Sequence, residues 1–123
     1  MTVRQLFPIL STRDLPRLVR FYEQALEATV AYRFASGNED DYVSLTLGEA
    51  SLGIGRDPQT PDAAPGDHIA LWVYVDDVDA TFDLWTRAGG GVVQAPDDAP
   101  WGERVAQVRD LDGNLVNLGA LPV

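Results

Sequence analysis

The residues able to do chemistry in this chain are few. It has no cysteine, no lysine and a single histidine, His68. Without cysteine there are no disulfides, thiolate metal sites or thiol nucleophile, and one imidazole cannot make a cluster of His ligands within one chain. Ser11, Ser44, Ser51 and the threonines have no base beyond His68, and no Gly-x-Ser-x-Gly elbow occurs, so a nucleophilic triad is disfavoured. Two carboxylate pairs stand out. Asp76-Asp77 precedes a helical pattern, where capping is its ordinary role, and Asp97-Asp98 falls in a Pro-containing stretch that reads as a loop, so solvated roles are expected for both. Gly53-Ile-Gly55 is not a phosphate loop, because no lysine exists and no helix start follows. Arg104 and Arg109 share one predicted strand and are placed to meet an anionic group, with surface pairing as the competing role. No catalytic residue is assigned on these grounds.

Whatever these residues do depends on the elements that hold them. A chain of 123 residues, 46% hydrophobic, fits one globular domain with one core. A formal charge of −10 repels phosphate backbones and anionic lipid while tolerating a neutral or cationic ligand, so nucleic acid and membrane surfaces are excluded as expected partners. No basic segment followed by an apolar one opens the chain and no apolar run reaches about 18 residues, which makes the cytoplasm the default expectation. Arginine without lysine suits a high-GC bacterial genome.

The pattern along the chain predicts a strand at 6–11 and a helix from Leu15 to Leu26. Asp14 serves as N-cap, Pro16 sits in the first turn, and Leu15, Leu18, Val19, Tyr22 and Leu26 form one apolar stripe. Strands at Thr29–Phe34, Tyr42–Leu47 and 51–55 follow, then a Pro-rich stretch, 57–67, that reads as a linker. The order then recurs. A strand is predicted at 69–75, and an Asp77-capped helix at 78–88 that places Trp85 in the core. Strands follow at 91–94, 103–109 and Leu115–Ala120, the last two joined by the turn Asp110-Leu-Asp-Gly-Asn. A shift of 63 residues superposes Asp14 on Asp77, Tyr22 on Trp85 and Ala25 on Ala88. The fold class is therefore α+β: tandem βαβββ modules, about 1–56 and 68–123, whose curved mixed sheets enclose a concavity with the helices outside.

Phe7–Phe21 with Tyr22, Leu71–Ala80 (LWVYVDDVDA) and Pro100–Leu118 (PWGERVAQVRDLDGNLVNL), in this tandem order, resemble the vicinal oxygen chelate superfamily. That group holds glyoxalase I, extradiol dioxygenases, fosfomycin-modifying enzymes and bleomycin-resistance proteins. The resemblance implies that metal-dependent members carry a His on the first strand and a carboxylate near the last strand of each module. Those places fall here on Phe7, Gly53, Ala70 and Asn117, so no metal and no other cofactor is expected. Glu49 and Glu103 stand away from these positions, and His68, beside Gly66-Asp67, reads as a loop or strand-edge residue.

If the first strands face the concavity as the resemblance implies, alternation puts Phe7 and Ile9 on one wall and Ala70, Trp72 and Tyr74 on the other. Leu71, Val73 and Val75 then face the helix. Trp101, in the loop Ala-Pro-Trp-Gly, resembles the aromatic with which bleomycin-resistance-type members cover their ligand. Phe34, Tyr32 and Tyr42 are further candidate contacts, and Asn117 offers a donor and an acceptor. The implied function is binding and sequestration of a small aromatic or conjugated molecule such as an antibiotic, without turnover. The alternative is a lyase or isomerase of the same fold using unconventional residues. The resemblance also implies a homodimer, and the linker, twelve residues when counted from Arg56 to Asp67 and spanning up to about 40 Å, would allow arm exchange between chains.

Overall fold

In the computed structural model, which describes residues 2–62 and 65–122, the elements run β1 (Ile9–Thr12), α1 (Leu15–Leu26), β2 (Thr29–Phe34), β3 (Tyr42–Leu47), β4 (Ala50–Arg56), β5 (Leu71–Tyr74), α2 (Val78–Arg87), β6 (Gly91–Asp98), β7 (Arg104–Arg109) and β8 (Leu115–Ala120). The expected α+β class and the tandem βαβββ order are both present. Two four-stranded mixed sheets form, ordered β1-β4-β3-β2 and β5-β8-β7-β6. In each, the first strand of a module pairs in parallel with the last, and the other pairings are antiparallel. Of the expected modules and linker, residues 1, 63, 64 and 123 lie outside the described residues. The chain divides into two compact units with the boundary between Pro61 and Asp62, the first holding sheet one and most of α1, the second holding sheet two and α2.

The helices start where the sequence chemistry requires. Asp14 Oδ1 accepts from the Arg17 N–H at 3.2 Å and Asp77 Oδ1 accepts from Ala80 at 3.0 Å, each satisfying a donor that the helix cannot pair internally. Leu15, Leu18, Val19, Phe21, Tyr22 and Ala25 of α1 are all buried. In α2, which packs across β6, β7 and β8, Trp85 is fully buried and its indole N–H donates to the Arg109 carbonyl at 2.8 Å. The facing positions Ala106, Val108, Val116 and Leu118 complete that core.

Four segments depart from expectation. β1 begins at Ile9, not Leu6, because Pro8 has no N–H to extend the ladder, although its carbonyl still accepts from Gly53 N at 2.9 Å. Residues 67–69 form a turn, so β5 begins at Leu71 and Ala70 stays outside it; His68 lies in that turn and is exposed. β6 continues to Asp98, which places Asp97-Asp98 in a strand and not a loop; an edge strand tolerates Pro96, and register shifts absorb the irregularity. The start of the linker is tied down. Asp57 N donates to the Thr12 carbonyl at 2.8 Å, and the Ser11 and Thr60 hydroxyls lie 2.9 Å apart.

Candidate functional site

Each sheet has a face whose side chains are not used by the core. On sheet one the ladder places Ile9, Gly53, Ser44 and Tyr32 side by side across four strands, with Ser11, Gly55, Tyr42 and Phe34 on the next rung. Leu10, Ile54 and Val43 point the other way, the last two fully buried. Strict alternation from Val30, whose partner Leu45 is buried, would have sent Tyr32 and Phe34 into the core. A bulge between Val30 and Tyr32 adds one residue and turns both rings to the open face. There Tyr32 and Tyr42 lie with ring centroids 6.4 Å apart.

Sheet two repeats this plan. Trp72, Asn117, Gln107 and Gln94 share one rung, and Tyr74, Gly119 and Val105 the next. A register shift after Val92 again sets the outer strand, bringing Gln94 opposite Gln107. Trp72 and Tyr74 meet edge to face, centroids 5.9 Å apart, and remain 44% and 54% exposed, which marks them as surface and not core. Only 9% of Asn117 is exposed, and its side-chain oxygen accepts from Gln107 Nε2 at 3.0 Å. Gln107 was missed from the sequence, although counting outward from the Asp110–Asn114 turn puts it opposite Asn117. The turn is held by Asp110 Oδ1, which accepts from the Asp112 and Asn114 N–H groups at 2.9 and 3.0 Å.

Trp101 stands exposed in the turn joining β6 to β7, closed by the Ala99 N–H donating to the Glu103 carbonyl at 2.7 Å. Its indole N–H donates to the Glu103 carboxylate, which is buried with 8% exposed. The same carboxylate, beside the Tyr74 phenol, holds the phenol's pKa above its ordinary value. Glu103 was not expected in this role. Its only sequence signal is its place two residues after Trp101.

The two arginines expected to meet an anion are already paired. Arg104 holds Asp79 of α2 at 2.9 Å and Asp98 at 3.2 Å, and Arg109 grips both oxygens of Asp67 at 2.8 and 2.7 Å. Their hydrogen bonds keep Asp79 and Asp67 below the usual carboxylate range. Phe7 lies in the segment leading into β1, and Ala70 is exposed before β5.

At the four places where the superfamily's metal ligands would stand, the donor set does not fit a resident divalent metal. The Gly53 site offers no side chain, and a Cβ there would collide with the Tyr42 phenol. Asn117 offers one neutral amide oxygen, already bonded to Gln107. Among the described residues no group of three or more His, Cys, Asp or Glu is arranged to hold an ion.

Residues 4–118 match the family described as the Glyoxalase/Bleomycin resistance protein/Dioxygenase superfamily. The chain belongs to this superfamily. An uncharacterised protein of Mycobacterium bovis is 37% identical over 123 residues, covering 93% of this chain and 81% of that protein. YraH of Bacillus subtilis, also uncharacterised, is 26% identical over 89% of this chain and 91% of its own. Among solved structures, TioX from Micromonospora sp. ML1 is similar with a TM-score of 0.76 and 25% identity, covering 98% of both chains. A bleomycin resistance determinant encoded on transposon Tn5 shares the fold of the superfamily, with a TM-score of 0.73 and 22% identity over 98% of this chain and all of that one. No helix among the described residues is long and apolar enough to cross a membrane.

Proposed function

We propose that this member of the superfamily binds small, flat, conjugated molecules stoichiometrically and keeps them from their targets, as a drug-sequestering resistance protein does. The observation that carries the reading is the exposed Trp72–Tyr74 pair, standing beside the Asn117–Gln107 amides on the open face of sheet two. Aromatic side chains give large contact area at low rotamer cost, and a few fixed polar groups orient a ligand stacked on them. Amides bonded to each other do this without adding charge. Ile9, Tyr32, Phe34 and Tyr42 offer a second aromatic surface on sheet one, and Phe7 and Trp101 extend the two surfaces. The active form is proposed to be a cytoplasmic homodimer.

Titrating tryptophan fluorescence with a panel of flat antibiotics, bleomycin included, tests the reading. The expected result is saturable quenching at one ligand per site with the ligand recovered at unchanged mass. Conversion of the ligand in proportion to time and enzyme would replace sequestration by catalysis, and absence of saturable binding across the panel would refute both. Sedimentation velocity checks the dimer.

A further inference from the structure

Two carboxylates are buried among the described residues, Asp110 and Glu103. Asp110 accepts three hydrogen bonds that build the β7–β8 turn. Glu103 differs in its surroundings. It takes part in no ion pair among the described residues, since Arg104 and Arg109 are held by Asp79, Asp98 and Asp67. Its hydrogen-bond partner is a neutral donor, the Trp101 indole N–H, and the Tyr74 phenol stands close enough for the carboxylate to hold its pKa up. A buried carboxylate outside any ion pair lacks a direct counter-charge, and such groups call for one.

The donor also matters for its ring. An indole or phenol that donates to an anion gains electron density in its π system, so its face attracts cations more strongly. Trp72, edge to face with Tyr74, adds a third exposed ring. We infer that the Trp72–Tyr74 pair, together with Trp101 bonded to the Glu103 carboxylate, receives a cationic group of the ligand, a quaternary or protonated tertiary ammonium. The inference rests on sheet two being a ligand-binding face, and adds that the ligand is a cation as well as flat. An anionic ligand would meet the same carboxylate as repulsion, and the net charge of −10 works in the same direction at long range.

The test is calorimetric titration of the intact protein at pH 8 in 150 mM salt with acridine and with N-methylacridinium, which match in shape and differ in charge. Wild-type protein should bind the cation at least tenfold more tightly, and tetramethylammonium should compete with it. In Glu103→Gln the cation's advantage should fall to threefold or less, while in Glu49→Gln, an exposed acid in the β3–β4 turn, it should persist. Equal wild-type affinities would overturn this inference and leave the binding reading standing, whereas failure of both probes to bind would overturn the binding reading as well. An equal drop in Glu49→Gln would reduce the preference to net charge and overturn the receptor. Should Glu103→Gln not fold, the wild-type pair with the tetramethylammonium competition decides.

Discussion

Gly119→Ala probes whether Trp72 is a movable platform or a packed core residue. A Cβ at position 119 would lie 3.0 Å from Cζ2, 3.1 Å from Nε1 and 3.2 Å from Cε2 of the Trp72 indole. Carbon atoms in comfortable contact stay about 3.5–4.0 Å apart, so the ring must lift by roughly 0.5 Å. With 44% of Trp72 exposed, the indole can tilt outward into solvent. Overpacking a closed core costs about 1–3 kcal/mol, and Gly→Ala in ordinary backbone returns about 0.4–1 kcal/mol by restricting the unfolded chain. The net loss of stability should therefore stay below about 1 kcal/mol. Ligand affinity should suffer more, since a misaligned aromatic contact is worth about 0.5–1.5 kcal/mol, a two- to twelvefold weakening. Urea unfolding measures the first quantity and the fluorescence titration the second. In a Trp72→Phe background the three crowded atoms are absent, so adding Gly119→Ala should cost nothing. A loss above about 2 kcal/mol with unchanged affinity would show that Trp72 is clamped by packing and contacts no ligand.

Trp85→Phe should cost roughly 2–4 kcal/mol in urea unfolding, because it leaves the Arg109 carbonyl without its donor and opens a small cavity; a loss under about 1 kcal/mol would contradict the role given to the 2.8 Å bond. Glu27 ends α1 in the left-handed region at φ 56°, where its Cβ is strained, so Glu27→Gly should stabilise by about 0.5–1 kcal/mol and raise the melting temperature by a few degrees, and no rise would count against that strain. Asp41, held by the Ser36 hydroxyl, the Ser36 N–H and Arg56, has its pKa lowered to about 2 from 3.8. Because the folded value lies below the unfolded one, its contribution is present above pH 3.8 and is lost as pH falls towards 2. Asp41→Asn should flatten the urea midpoint across that window, and an unchanged acid slope would refute the assignment.

Much of the scaffold was legible residue by residue because its causes are local. An acceptor side chain ahead of an apolar stripe started both helices, and the bounds of α1, β2, β3 and β8 agree with the pattern. The Asp110–Asn114 turn likewise set the final hairpin, with Val116 and Leu118 buried and Asn117 on the other face. The superfamily entered as a resemblance, carried by Phe7–Phe21, Leu71–Ala80 and Pro100–Leu118 in tandem βαβββ order, and the family match over residues 4–118 agrees with it.

What lay beyond the pattern depended on partners distant in the chain. Strand ends are set by what pairs alongside, so Pro8 shortened β1 while Val105 and Arg104 drew Asp97 and Asp98 into β6. The direction of Tyr32 and Phe34 hung on one extra residue, and alternation cannot reveal a bulge before the register with β3 is known. Arg104 and Arg109 looked available until α2 supplied Asp79 and the segment before β5 supplied Asp67. Asn117 found its partner in Gln107 across the ladder. Glu103 meets the Trp101 indole within its own turn, and its nearness to Tyr74 of β5 came only with the packed sheet. Capping and periodicity act within a few residues of chain, and they determined the elements; side-chain convergence joins segments some thirty residues apart, and only the packed sheet decided it.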